Sequence, residues 1–209
     1  MKTFTHVDPT FQLARSHPWT QAKDNPDQIY YDFRKYPAKI RTSLEDFIAL
    51  GENSATTKFY DLVEWINSSE SHLESNDCGA GQIRPNTDLN YPKSLACTAC
   101  LMILYRDLTS NLSVEHVNWL QDAIQHYLKN IDTFFDWAVI GTTLAPANYI
   151  NLPIQEEKQL GRQIVLTFWA WGDNQADVLD NLSRAFTNTM EALIGVNGEI
   201  SASINSADA

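Results

Sequence analysis

Cysteine is scarce in this chain: three residues in 209, an odd number and in no repeated spacing. A disulfide framework is thereby excluded as the main source of stability, and free thiols point to a reducing compartment. Basic residues are also few, with 15 Lys and Arg against 26 Asp and Glu and a formal charge of −11. That balance argues against a nucleic-acid partner, which needs clustered cations to displace counterions from phosphate, and against an anionic membrane surface. Long hydrophobic runs are missing too. The longest, Ala99 to Tyr105, is far short of the ~20 residues that span a bilayer. The first ten positions contain Lys2, His6, Asp8 and Pro9, so no signal-peptide core is expected there. With no export signal expected, cytoplasmic is the expected location, and the sequons at Asn67, Asn111 and Asn181 read as chance matches.

What the chain does contain is enough apolar material for a core: 44% of residues are hydrophobic and 20% charged. At this length roughly 70% of the unfolded surface can be buried. Residues 1–94 read as an extended arm, two helices and a long polar loop, and residues 95–209 as an α+β sandwich, the two forming one compact unit. The arm, residues 1 to 41, carries four prolines together with Trp19, Tyr30, Tyr31, Phe33 and Tyr36, and has no helical period. Thr42 and Glu45 form a capping-box pattern ahead of Leu44, Phe47, Ile48 and Leu50, with Gly51 placed to end a short helix. A second helix is expected from Ser54 to Asn67 through Phe59, Leu62, Val63 and Ile66. From Ser68 to Tyr91 the composition is that of a loop, and a loop of this length in a compact fold is either functional or disordered.

Beyond it, Ala99 to Tyr105 is apolar at every position and suits a buried strand or a buried helix, its length favouring neither; it is taken as a strand in the succession below. Ser113 caps a helix whose stripe runs Val114, Val117, Leu120, Ile124, Leu128 and Ile131. Trp137 to Thr143 and Gln163 to Trp171 have strand composition; for the latter, Pro153 with Glu156 and Glu157 offers a helix start instead. Asn174 caps a last helix through Val178, Leu179, Leu182, Ala185, Phe186, Met190 and Leu193, with Gly195 at its C′ position. Glu199 to Ile204 alternates at period two and reads as a half-exposed strand. The succession is βαββαβ, the ferredoxin-like arrangement, in which the first and third strands are central and the second and fourth lie at the edges. Its second sheet face would be covered by the amino-terminal helices and the aromatic arm. The alternative is an all-α bundle.

Three constellations bear on chemistry. Cys97-Thr98-Ala99-Cys100 has the spacing of a redox or metal motif, but it runs directly into Leu101-Met102-Ile103-Leu104. In a strand, positions 97 and 100 point to opposite faces and share no ligand. The segment from His72 through Glu74, Asn76, Asp77 and Cys78 to Gly81 collects an imidazole, carboxylates, an amide and a thiol. It suits a ligand-contacting loop, or a thiol nucleophile with His72 as base and Arg106 as an anion clamp at a strand end. Glu74 and Asp77 would oppose thiolate formation, so ordinary reactivity is expected of Cys78. Trp169 and Trp171 share one strand face and suit a ligand floor or a covered core. Arg34, Lys35, Lys39 and Arg41 form a basic cluster among Phe33 and Tyr36, for which internal ion pairing is the expected use in so acidic a chain. His116 and His126, ten residues apart on one helix, do not face a common point. No motif calls for a cofactor or a metal.

The function expected from these features is that of an accessory or binding protein for a small organic ligand or a protein partner. Its ligand contacts would be drawn from His72, Glu74, Asn76, Asp77, Cys78, Arg106, Trp169 and Trp171. A small-molecule enzyme using the cysteine segment and a structural subunit of an assembly are the alternatives, and a homodimer is compatible with either class.

Overall fold

A computed structural model describes residues 1–8, 15–17, 31–149 and 159–207. Trp19 and Tyr30 of the aromatic arm, and the Pro153, Glu156 and Glu157 helix start, lie outside the described residues. The strands are β1 (Lys2–Val7), β2 (Arg15–His17), β3 (Leu73–Ala80), β4 (Arg84–Pro85), β5 (Leu95–Tyr105), β6 (Ala138–Tyr149) and β7 (Gln159–Gly172). The helices are α1 (Lys39–Ser43), α2 (Ser54–Ile66), α3 (Val114–Asn130) and α4 (Gln175–Ala207). The class is α+β, and the all-α alternative is excluded by a seven-stranded sheet of order β1-β6-β7-β5-β3. β2 pairs beside β6 and β4 beside β5.

The two continuously apolar runs are neighbours in the middle of the sheet, as expected. β5 and β7 run antiparallel from Leu95 opposite Gly172 to Ile103 opposite Ile164. β7 then pairs antiparallel with β6 from Ala138 opposite Ala170 to Tyr149 opposite Gln159. β6 is not an edge strand: β1 and β2 lie parallel to it, Lys2 opposite Val139 and His17 opposite Tyr149.

The expected ferredoxin-like succession fails at its last element. Residues 199–204 continue α4, which runs unbroken through Gly195 and Gly198. Glu199 to Ile204 is as compatible with a helix as with a strand, since Ile200 and Ile204 are also four residues apart. Ile200 reaches the core and Ile204 remains exposed. Gly195 does not end the helix. A Cβ there would run into the Tyr127 ring of α3, so the glycine lets two helices approach closely. The sheet position beside β5 is filled instead by β3, drawn from the segment expected to be a loop.

The short first helix also differs from expectation. It starts at Lys39, and Thr42 lies inside it with its hydroxyl donated to the Lys39 carbonyl. A 3-10 turn, Glu45–Phe47, follows, and Gly51 takes a positive φ of 74° at the turn into α2. The caps read at Ser113 and Asn174 form, accepting from His116 N at 3.3 Å and from Asp177 N at 3.0 Å. α2 is capped by Asn53, which the sequence reading did not single out and which accepts from Thr56 N at 3.1 Å. Val114 falls off its expected stripe and is exposed, while Val117, Leu120, Ile124 and Leu128 are buried.

α2, α3 and α4 occupy the same sheet face. Phe186 of α4 packs on Phe59 of α2 and on Phe168 of β7, each with ring centroids 4.9 Å apart. One core joins these rings to Leu101, Ile103, Ile140, Leu144, Ile164 and Leu166. The amino-terminal helices therefore do not cover the second sheet face; they widen the layer on the first. Among the described residues no helix is long and apolar enough to cross a membrane.

Leu182 has no exposed surface and lies in the middle of α4. Leu182→Ala is expected to cost about 2–5 kcal/mol from lost burial and the cavity left behind. Urea denaturation measures this, and a loss under about 0.5 kcal/mol, typical of a surface site, contradicts the packing described.

Candidate ligand-binding face of the sheet

Strand alternation sends one residue parity to the helices and the other away from them. Cys97, Ala99, Leu101 and Ile103 of β5 join Ile164, Leu166, Phe168 and Ala170 of β7 in the helix-side core. The opposite parity forms transverse rows on the other, helix-free face, on which no α-helix lies among the described residues. Asp77 lies opposite Met102, which faces Val165, which faces Thr143. Next come Gly79, Cys100, Thr167 and Gly141, and then Thr98, Trp169 and Val139. Met102, Cys100, Thr98, Val165, Thr167, Trp169 and Thr143 are all half-buried.

Aromatic rings border this face at one end. Phe4 lies over Gly141, where a Cβ would strike its ring, and sits 5.4 Å from Trp169. Trp171 stacks on Tyr91 at 3.7 Å, and the Lys93 ammonium rests over Trp137. The two tryptophans thus share a face, as their spacing implies. At the other end a 3-10 turn, Leu108–Leu112, packs with Leu104, Ala147 and Tyr149.

That second end holds a buried carboxylate. Glu74 is 2% exposed, and its oxygens meet His17 Nε2 and Arg34 Nη1, each at 2.8 Å. A carboxylate removed from water is costly unless paired and hydrogen-bonded, and here two cationic or hydrogen-bonding groups from the amino-terminal part supply the pairing. His17 also packs 5.9 Å from the Tyr149 ring. Asp32 engages Arg34 and Lys35, while Arg41 engages Glu64 and Asp61. Lys39 lies over the Tyr31 ring. The basic cluster is thus spent largely on internal pairs.

Beside Glu74, β3 carries a bulge between Ser75 and Asp77. Asn76 is the extra residue, and such insertions re-aim a side chain while interrupting the ladder. Its Nδ2 donates to Gln163 Oε1 at 2.9 Å, and Gln163 Nε2 reaches Met102 Sδ at 3.6 Å. Asn76 is buried, and its Oδ1 has no hydrogen-bond partner.

The segment expected to be a loop is thus a strand whose polar side chains each found a tertiary role. Glu74, Asn76, Asp77, Trp169 and Trp171 belong to the helix-free side of the sheet. His72 and Cys78 do not join them. His72 turns to α4, its N–H donated to Asn197 Oδ1 at 2.7 Å and its ring 3.0 Å from Ser201 Oγ. Cys78 lies in the helix-side core opposite Leu101. Arg106 donates through Nη2 to the Ser68 and Leu73 carbonyls, so it ties the start of β3 to the end of β5 rather than standing open as an anion clamp.

Cys97 and Cys100 point to opposite faces, as the strand geometry requires: Cys97 is in the core and Cys100 is half-buried opposite Thr167. Burial pushes the Cys78 thiol well above its ordinary range, with Asp77 and Cys100 adding to the shift. Burial also pushes Cys97 up to about 11. Among the described residues no three His, Cys, Asp or Glu side chains gather as a metal site. The contributions of Gln163 and Met102 escaped the sequence reading, although Gln163-Val165-Thr167-Trp169 alternating with Ile164-Leu166-Phe168 carries the signal of the first. Arg34 was legible only as a member of the basic cluster, and His17 left no pattern. No family model, curated protein or solved structure matches the chain.

Two outcomes follow from this geometry. Glu74→Leu removes the carboxylate that His17 and Arg34 share, and is expected to lower stability by about 1–3 kcal/mol. This is less than for a fully buried pair, because the Arg34 side chain is 35% exposed; urea denaturation reads the loss, and an unchanged midpoint refutes the assignment. For the thiols, a raised pKa keeps the neutral form at a pH where an ordinary cysteine ionises. Iodoacetamide near pH 8 should leave Cys78 unmodified in the native protein and label it in guanidinium, as read by peptide mass spectrometry. Fast selective labelling of native Cys78 near pH 6 would restore the thiol-nucleophile reading.

Proposed function

We propose that this is an accessory binding protein that takes a small, largely apolar organic molecule on the helix-free face of its sheet. The observation that carries the reading is the set of rows from Met102 and Val165 to Trp169: half-buried, uncharged side chains of β5, β6 and β7, with Asp77 at the β3 margin and Phe4 and Trp171 at the border. A flat apolar floor with rings at its border and a few polar groups at one end is the usual composition of a small-molecule site. The inert environment of Cys78, and its separation from His72, weigh against the loop-cysteine enzyme. A charge of −11 weighs against nucleic acid as the ligand. Three free cysteines fit a reducing cytoplasm.

The test uses prodan, an uncharged naphthalene fluorophore whose emission shifts to the blue in apolar surroundings. Wild-type protein is expected to bind it saturably. Thr167→Arg, which sets a charge in the middle of the face, should weaken binding about tenfold or more. Thr187→Arg, on the exposed side of α4, should leave it unchanged. No saturable binding, or equal binding by Thr167→Arg, overturns the proposal.

A further inference from the structure

From the carboxamide at the β3 bulge, and resting on the binding-face reading above, we infer that the ligand is an uncharged ring compound that donates one hydrogen bond, through a hydroxyl or an N–H, to Asn76 Oδ1.

Asn76 is 6% exposed, and its oxygen is closed off from solvent without a hydrogen-bond partner. A buried acceptor in that state costs on the order of 1–3 kcal/mol. A donor that arrives from outside the chain and bonds to this oxygen would remove the cost. The donor does not come from Gln163. Its Oε1 already accepts from Asn76 Nδ2, and its Nε2 is turned to Met102 Sδ. The amide pair therefore offers an incoming molecule one strong acceptor, and the molecule must supply the hydrogen.

Charge on the ligand is selected against by the neighbours. Glu74 is taken by His17 and Arg34, and Asp77 is engaged as well, so no counter-charge stands ready for an ammonium or a carboxylate. An ion moved onto the Met102, Val165 and Thr167 surface would lose hydration without recompense. The flat body is indicated by the floor itself. From Gln163 to Trp169 the strand advances six residues, about 20 Å at a strand's rise, past Val165 and Thr167 to the Trp169 and Phe4 rings. A molecule anchored at Asn76 lies along this row and meets rings at its far end. Because the acceptor is occluded, the side chains over it give way as the donor enters.

The experiment compares β-naphthol with its O-methyl ether, which has the same ring system but no donor, by isothermal titration. Wild-type protein should bind β-naphthol about tenfold more tightly than the ether. Asn76→Leu should bring the two to within about twofold of each other, chiefly by weakening the naphthol. Equal affinities for the wild-type protein refute the inference without recourse to any variant, as does a preference that survives in folded Asn76→Leu. If prodan binds and Thr167→Arg abolishes it while naphthol and ether bind alike, the binding face stands and the donor assignment falls. If prodan and naphthol both fail to bind, both readings fall.

Discussion

The antiparallel pairing of β5 with β7 is the constraint on which the remaining architecture depends. Both strands are rich in apolar side chains at both parities, so burying one face leaves a second that is also poorly suited to water. On the first face Leu101, Ile103, Leu166 and Phe168 gather α2, α3 and α4 into one core. β6 then pairs on the far side of β7 and β3 on the far side of β5. All three long helices are used on one side. The character of the other side, half-buried and ringed by aromatics, follows from the same two strands.

Glu74 sets the polar end of that second face. A carboxylate at this depth has to be met by groups that carry or share positive charge, and both come from distant parts of the chain, His17 of β2 and Arg34 of the segment ahead of α1. The pairing holds the amino-terminal part against the end of β3. The neighbouring bulge displaces Asn76 from the ladder and so sets an amide beside, rather than within, the ion pair. The two neighbours differ: Glu74 is met by His17 and Arg34 inside the molecule, whereas Asn76 Oδ1 has no hydrogen-bond partner.

Legibility in the sequence followed the strength of the local signal. Ser113 and Asn174 were legible as caps because a side chain three positions ahead of a free N–H forms its bond within one turn. β5 and β7 announce themselves by unbroken apolar composition, and their adjacency by the need for cover on both sides. β3 did not, because Glu, Ser, Asn, Asp and Gly have low strand propensity and the partners of its polar side chains lie outside the strand. Ser75 is met by Asn67, Asn76 by Gln163 and Glu74 by Arg34. α4 was read too short because a glycine signals a helix end locally, whereas Gly195 answers to the Tyr127 ring of another helix.

By itself the sequence determined the α+β class, the caps, the central strands and the opposed faces of Cys97 and Cys100, all of which rest on periodicity and interactions spanning a few residues. Tertiary structure alone decided which strand stands beside β5, which sheet face the amino-terminal helices cover, and which polar residues of 72–78 meet. Cys78 parted from Glu74 because the bulge shifts the strand's alternation, whereas His72, just ahead of the strand, is drawn away by Asn197 and Ser201 of α4. Glu74 is met by Arg34 and His17, 40 and 57 positions away, and Asn76 by Gln163, 87 positions away.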